Sequence, residues 1–310
     1  MSAQNTYRAV ASGATGILIV GASFPVTALL GGYPVLAGQA IRYAVGGLVL
    51  LGVLLARGRR LPKPGLRDLA GMAGMVIAGM LGFNAAILAA EQYATPGFVS
   101  AVVGVSPLVL AVAVPLLGGR RPAVAALLGA ALVVLGVAVL TGGGSWHGPG
   151  LVLALLCMVG EVLFTLCAVG TVNRLGALEV STWACLIAAV GGAVVATAVD
   201  GAAAWRLPTQ GEAVALGVLS VLVTAVAFTC WYTCVAAIGA DRAGVLIGLM
   251  PVSGLVVSVL LGLQPMSLAG VVGALAVAGG CVLGLRRRRE LSGRRVPSEA
   301  RPAPRPAVRG

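Results

Sequence analysis

Ten apolar runs, each long enough to cross a bilayer, follow one another along this chain with little between them. A membrane helix needs about 20 consecutive, mostly apolar residues. The runs fall at 9–30, 35–56, 69–90, 95–117, 122–141, 149–172, 178–199, 213–236, 243–263 and 266–285. In hydrocarbon the backbone must satisfy its own hydrogen bonds, so such runs fold as helices or close into a barrel. A barrel would show ten-residue segments of alternating polarity, which are absent. The expected fold is an all-α integral membrane protein of ten transmembrane helices. Only 10% of residues are charged and 59% are hydrophobic, against about 25% charged in soluble domains. A water-soluble enzyme is thereby excluded, and so is a disordered chain, which needs low hydrophobicity. The first run exceeds the apolar core of a cleavable signal peptide, about 7–15 residues.

The net charge of +12 comes from 21 basic and 9 acidic residues, and its distribution sets an orientation. Nineteen basic side chains lie in the termini and alternate loops: Arg8, the 57–67 loop, Arg120 and Arg121, Arg174, Arg242, and nine arginines from Arg286 to Arg309. The opposite loops hold only Arg206, and Arg42 lies within a span. Lys and Arg gather on the cytoplasmic side of short loops, so both termini are expected in the cytoplasm. Tyr33, Tyr93, Trp146 and Trp205 fall at the opposite surface, where amphipathic rings favour the headgroup layer. The Arg/Pro-rich tail, 286–310, reads as disordered and drawn to anionic membrane lipids; nucleic acid is not an expected partner. The Ala, Gly and Val bias and the 20 Arg to one Lys fit a GC-rich bacterial genome, hence a bacterial plasma membrane.

Nothing in the chain points to catalysis, a cofactor or a metal. Cys157, Cys167, Cys185, Cys230, Cys234 and Cys281 all lie within spans and read as small packing residues. His147 is the single histidine and sits in a loop. H-E-x-x-H, G-x-S-x-G and Walker A patterns are missing. The oligomeric state is left open.

A pattern returns after 144 residues. Gly104, Pro107, Leu117, Gly118, Gly129 and Gly136 correspond to Gly248, Pro251, Leu261, Gly262, Gly273 and Gly280. The expected organisation is a cytoplasmic N-terminus (1–8), a five-helix repeat (9–141), an external linker (142–148), a second five-helix repeat (149–285) and the tail. An odd number of spans per half makes equivalent helices run in opposite directions, as in many secondary transporters.

The segments TPGFVSAVVGVSPLVLAVAVPLLGG and DRAGVLIGLMPVSGLVVSVLLGL, with GASFPVTALL, PVLAGQAIRY and NAAILAAEQYATPG, resemble EamA-type members of the drug/metabolite transporter superfamily. The resemblance covers about 9–285 and implies a secondary carrier of small amino-acid-like or amphipathic metabolites, working by alternating access. Family members often carry an acidic residue after the Leu-Gly of spans four and nine. Here those positions are Gly119 and Leu263, so any role of that carboxylate is missing. The alternative function is a membrane-embedded receptor or lipid scramblase.

Ionisable groups inside hydrocarbon are costly and tend to be functional. Glu161 is the one acidic residue deep in a span, and Arg42 lies in span two. They sit roughly 18 and 12 Å below the outer surface at 1.5 Å per residue. Either Glu161 faces a watery cavity and exchanges a proton for substrate, or the two form a fixed ion pair, or Arg42 extends outward. Asn84 and Gln39 are further substrate-binding candidates, with helix–helix adhesion as the alternative. Pro107 and Pro251 each remove a helical hydrogen bond and are expected as paired hinges, against static kinks. Trp231 and Tyr232 would wall a site or anchor span eight at the interface; anchoring is preferred. Ala70, Gly74, Ala78, Gly82, Ala86 and Ala90 form a smooth stripe for close helix approach.

Overall fold

The computed structural model describes residues 3–23, 26, 29–30, 32–142, 144–262 and 265–285. The expectations for the tail 286–310 and for Leu263 lie outside the described residues. Among the described residues the structure is helical, apart from one isolated bridge between Ala94 and Trp146.

Helix α1 is Ala3–Ala22 and α2 is Val35–Ala56. Helix α3 joins Leu66–Gly74, a π-helical segment at Met75–Leu81, and Gly82–Glu91. Helix α4 is interrupted between Pro96–Val103 and Ser106–Leu117, and α5 is Val124–Thr141. Helix α6 is Gly150–Leu175, and α7 is Ala177–Asp200 with a 3₁₀ turn, Gly201–Trp205. Helix α8 joins Gln210–Val218, a π-helical segment at Leu219–Ala227, and Phe228–Ile238. Helix α9 joins Ala240–Ala243, a 3₁₀ segment at Gly244–Gly248, and Leu249–Leu260, and α10 is Leu268–Leu285.

Nine helical stretches among the described residues are long and apolar enough to cross a membrane, beginning with α2. The expected count of ten is not reached because of the first span. Helix α1 starts earlier than the expected 9–30 and carries Gln4, Asn5, Thr6 and Arg8 in its first turns. Several residues of the remainder of that span fall outside the described set.

The repeat is visible in the helices' irregularities. The two π-helical segments begin at Met75 and Leu219, 144 residues apart. Helices α4 and α9 both change character at the paired Gly104 and Gly248. Asp68 and Glu212 are another pair, and each carboxylate accepts a backbone N–H at the start of its helix, from Gly65 and Thr209. Such a bond satisfies one of the donors a helix N-terminus leaves orphaned.

Equivalent helices also pack on each other. Helices α5 and α10 meet so closely that side chains added at Gly129 and Gly280 would each strike the other's backbone, as would side chains at Gly136 and Gly273. The pairing of 129 with 280 and 136 with 273 means that the helices run antiparallel. Helices α2 and α7 do the same, with Gly47 against Cys185 and Leu186, and Gly192 against Ala40. The other contacts exchange between halves. Helix α1 packs on α8, with Gly13 against Cys234 and Gly16 against Cys230, while α6 packs on α3, with Phe164 on Gly79 and Thr171 on Gly71. With no hydrophobic drive between helices in lipid, close approach of small residues supplies the packing energy.

The smooth stripe of α3 is only partly realised. Gly74 faces Cys167, and Ala78 receives Gly160. Gly82 does not continue that contact: a side chain there would strike the Ile77 carbonyl of its own π turn. A π segment widens the turn and shifts the residues after it off a four-residue stripe.

Candidate functional site

Glu161 shares a face of α6 with Cys157, Phe164, Thr165 and Ala168, all buried. Val152, Leu156, Val159 and Leu163 lie on the opposite, exposed side. Glu161 therefore points into the bundle, yet it keeps part of its surface accessible, so it borders interior space. It forms no hydrogen bond or ion pair with any described residue; the three ion pairs among the described residues are Arg59–Glu179, Arg174–Asp68 and Arg206–Glu212.

Aromatic rings stand beside it. Phe164 lies 5.5 Å from Phe228 and 5.6 Å from Tyr232, centroid to centroid, and Phe228 is 6.2 Å from Tyr232. Tyr232 is fully buried, and its hydroxyl has no hydrogen-bond partner among the described residues. Trp231 is buried as well. The expected interfacial anchoring of this pair is thus incorrect. Position along a span gives depth; it does not say which way the side chain faces.

Arg42 is tied inside the bundle and not extended toward the outer surface. Its Nε donates to Thr224 Oγ1 at 2.8 Å, and its Nη1 donates to Gln39 Oε1 at 3.4 Å. Gln39 Nε2 donates to Asn84 Oδ1 at 3.3 Å, and Asn84 Nδ2 donates to the Met80 carbonyl at 2.5 Å. The guanidinium also lies 5.4 Å from the Tyr43 ring centroid. Three of the residues singled out from the sequence, Arg42, Gln39 and Asn84, are therefore one network. It runs from the π segment of α8 across α2 to the π segment of α3, and Met80 and Thr224 are themselves 144 residues apart. π-Helical turns recur at functional sites. Glu161 is not bonded to this network.

Pro107 is the second residue of Ser106–Leu117, and Pro251 the third of Leu249–Leu260. Both sit in the first turn of a segment, where a missing N–H costs little. The interruptions lie just before them. The Ser106 hydroxyl, at the α4 break, is buried without a partner among the described residues.

An antiparallel two-fold repeat with polar groups at its centre is now established, and comparison with known proteins gives it a family. The sequence profile of the EamA-like transporter family matches residues 8–142 and again residues 148–286. The chain belongs to the EamA-like transporter family. It is similar to the uncharacterized transporter YetK of Bacillus subtilis (strain 168), at 24% identity over 89% of this chain and 86% of that protein. A protein of known crystal structure shares the fold, with a TM-score of 0.77 and 24% identity over 89% of this chain and 95% of that one. The molecule is thus a multi-pass membrane protein of an EamA-like transporter family.

Sequence reasoning overlooked several residues at the centre of this EamA-like bundle. Thr224 carries the strongest contact to Arg42, but threonine is common in membrane helices, where it bonds its own backbone. It does so here, donating to the Leu219 carbonyl across the π turn. The Phe164–Phe228–Tyr232 cluster was visible only as scattered aromatics. All six cysteines are free, as their placement in the spans suggests.

Proposed function

We propose that this EamA-like protein is a ten-span secondary carrier that exports a small amino-acid-like or amphipathic metabolite across a bacterial plasma membrane. Transport proceeds by alternating access and is coupled to inward movement of protons, with both chain termini cytoplasmic. The observation that carries this reading is Glu161: an inward-facing, partly accessible carboxyl with no partner among the described residues. A buried group kept without a partner is expensive, and a partner that comes and goes accounts for it. A proton and the polar group of a substrate are such partners, and competition between them for one carboxyl yields exchange. The aromatic cluster supplies apolar surface to the rest of the substrate. The Arg42 network supplies a fixed cation and amide groups, and the breaks before Pro107 and Pro251 supply the hinges.

Purified protein in liposomes tests the class of function. Comparing metabolites in cells and medium with and without the expressed gene identifies candidate solutes. A gradient of the right solute should then acidify or alkalinise the liposome lumen. Dye-lipid flipping with no solute flux would instead identify a scramblase.

A further inference from the structure

A cavity of about 400 Å³ opens on the basic side of the molecule, with walls that belong neither to the Glu161 region nor to the Arg42 network. Its volume lies within the range of specific ligand sites. Arg57 and Arg59 of the loop after α2 form one side, together with Glu179 near the start of α7. Thr229, Thr233, Ala236 and Ala237 of α8 form the other.

The polar side is held in place by the backbone and by α7. Gly58 takes a φ of 68°, a value that favours glycine. Its N–H donates to the Leu55 carbonyl and the Arg59 N–H donates to the Leu54 carbonyl, the paired bonds with which a glycine closes a helix. The loop is then pinned twice: Arg59 Nη2 lies 2.6 Å from Glu179 Oε1, and Trp183 Nε1 donates to the Pro62 carbonyl at 2.9 Å. Two guanidiniums thus share the cavity with one carboxylate. Glu179 is taken by Arg59, and its other oxygen, Oε2, is buried out of reach of anything entering the cavity. The Arg57 guanidinium has no partner among the described residues. An arginine carries five N–H donors, so the cavity holds a surplus positive charge and free donors to go with it.

The α8 side is apolar in practice. Thr229 Oγ1 donates to the Ala225 carbonyl at 2.8 Å and Thr233 Oγ1 to the Thr229 carbonyl at 2.6 Å, so both hydroxyl protons are spent on their own helix. Thr233 and Ala236 are exposed, and on the same face, further along α8, so are Val226 and Leu222. An apolar face left exposed along a helix long enough to cross a membrane is a face that meets lipid. The small residues make a recess in it, running roughly 10 Å from Ala236 to Thr229 at 1.5 Å per residue. It leads from the basic-side surface toward the larger Val226 and Leu222, the direction an acyl chain takes from its headgroup.

We propose that the cavity is a binding site for an anionic phospholipid of the basic-side leaflet, with the phosphodiester on Arg57 and Arg59 and an acyl chain along the α8 recess. Guanidinium forks match phosphate oxygens, and the single negative charge of the phosphodiester balances the surplus cation. A headgroup without an ammonium, as in phosphatidylglycerol, keeps that balance. Basic pockets between spanning helices suit such headgroups. The site does not depend on the carrier reading. To test it, the full chain in lipid-free detergent is titrated with dioctanoyl-phosphatidylglycerol while its melting temperature is followed. A saturable rise is expected, weaker when salt goes from about 0.1 to 1 M and the screening length falls from about 10 to 3 Å. Dioctanoyl-phosphatidylcholine, whose ammonium cancels the phosphate charge, should give a smaller rise. Arg57→Gln should raise the half-saturating concentration about fivefold, the weight of one basic side chain at an anionic surface. Ala236→Phe, which fills the recess, should weaken the response too; should that variant fold poorly, Arg57→Gln decides alone. Arg60→Gln removes a neighbouring charge outside the cavity and should titrate as the unsubstituted chain does. Equal responses to the two lipids, or equal weakening by Arg57→Gln and Arg60→Gln, would overturn the site. So would Arg57→Gln protein that titrates unchanged, and the same rise with inorganic phosphate alone would make it a free-anion site and not a lipid site.

Discussion

Charged residues in this chain divide by whether their needs are met. Asp68, Glu212 and Arg206 are bonded on several sides and hold ends together. The hydrogen bonds to Glu212 hold the Arg206 proton even more firmly than is usual for an arginine, so the Arg206–Glu212 pair keeps its charge across the physiological range. Arg206, the one basic residue in the loops opposite the basic side, thus has a structural reason to stand there. Glu161 and Arg42 stood out in the sequence because ionisable groups are rare in apolar runs, but their pairing could not be read from depth along the helices. The structure gives Arg42 to Thr224 and leaves Glu161 alone. Thr224→Val preserves shape but strands the Arg42 Nε, and should cost about 1–3 kcal/mol of stability. In double-mutant cycles by thermal or denaturant unfolding, Arg42→Gln and Thr224→Val should couple. Arg42→Gln and Glu161→Gln should add within about 0.5 kcal/mol. Strong coupling of the second pair would restore the fixed ion pair.

At the level of helices, the glycines that marked the repeat in the sequence are the ones where helices touch. Gly129, Gly136, Gly273 and Gly280 bring α5 and α10 into backbone contact, and a close approach of this kind leaves a legible residue type. Gly136→Leu and its equivalent Gly273→Leu should each destabilise by at least the 1–3 kcal/mol typical of overpacking. Gly52→Leu is the control, because nothing lies within 4 Å of a side chain there. Equal melting temperatures for Gly136→Leu and Gly52→Leu would contradict the tight crossing. The π segments were not legible. Met75–Leu81 and Leu219–Ala227 are apolar stretches like their neighbours, and only the extra residue per turn sets them apart. Gly82→Leu should still disrupt α3 more than Leu81→Ala, through collision with the Ile77 carbonyl and not with a neighbouring helix. The α4 and α9 breaks were half legible: Pro107 and Pro251 flagged them, but the interruption precedes each proline by a few residues.

Across the whole molecule, charge distribution and repeat make one topological claim. Reporters fused at 310 and within 57–67 should read cytoplasmic, and reporters at 146 and 205 external. A reporter at 310 reading external would break the even span count. Class and repeat were readable because hydrophobic length and spaced glycines survive in one dimension. The first span was not, since the polar turns at Gln4–Arg8 belong to the same helix as the apolar residues that follow. The central claim is that an unpaired interior carboxyl couples substrate to protons, and one flux measurement reaches it most directly. In liposomes carrying the identified solute, a pH gradient should drive wild-type flux. Glu161→Gln, folded to the same melting temperature, should lose that response by an order of magnitude or more, since it keeps the shape but cannot ionise. Undiminished pH-driven flux in well-folded Glu161→Gln protein would contradict the account.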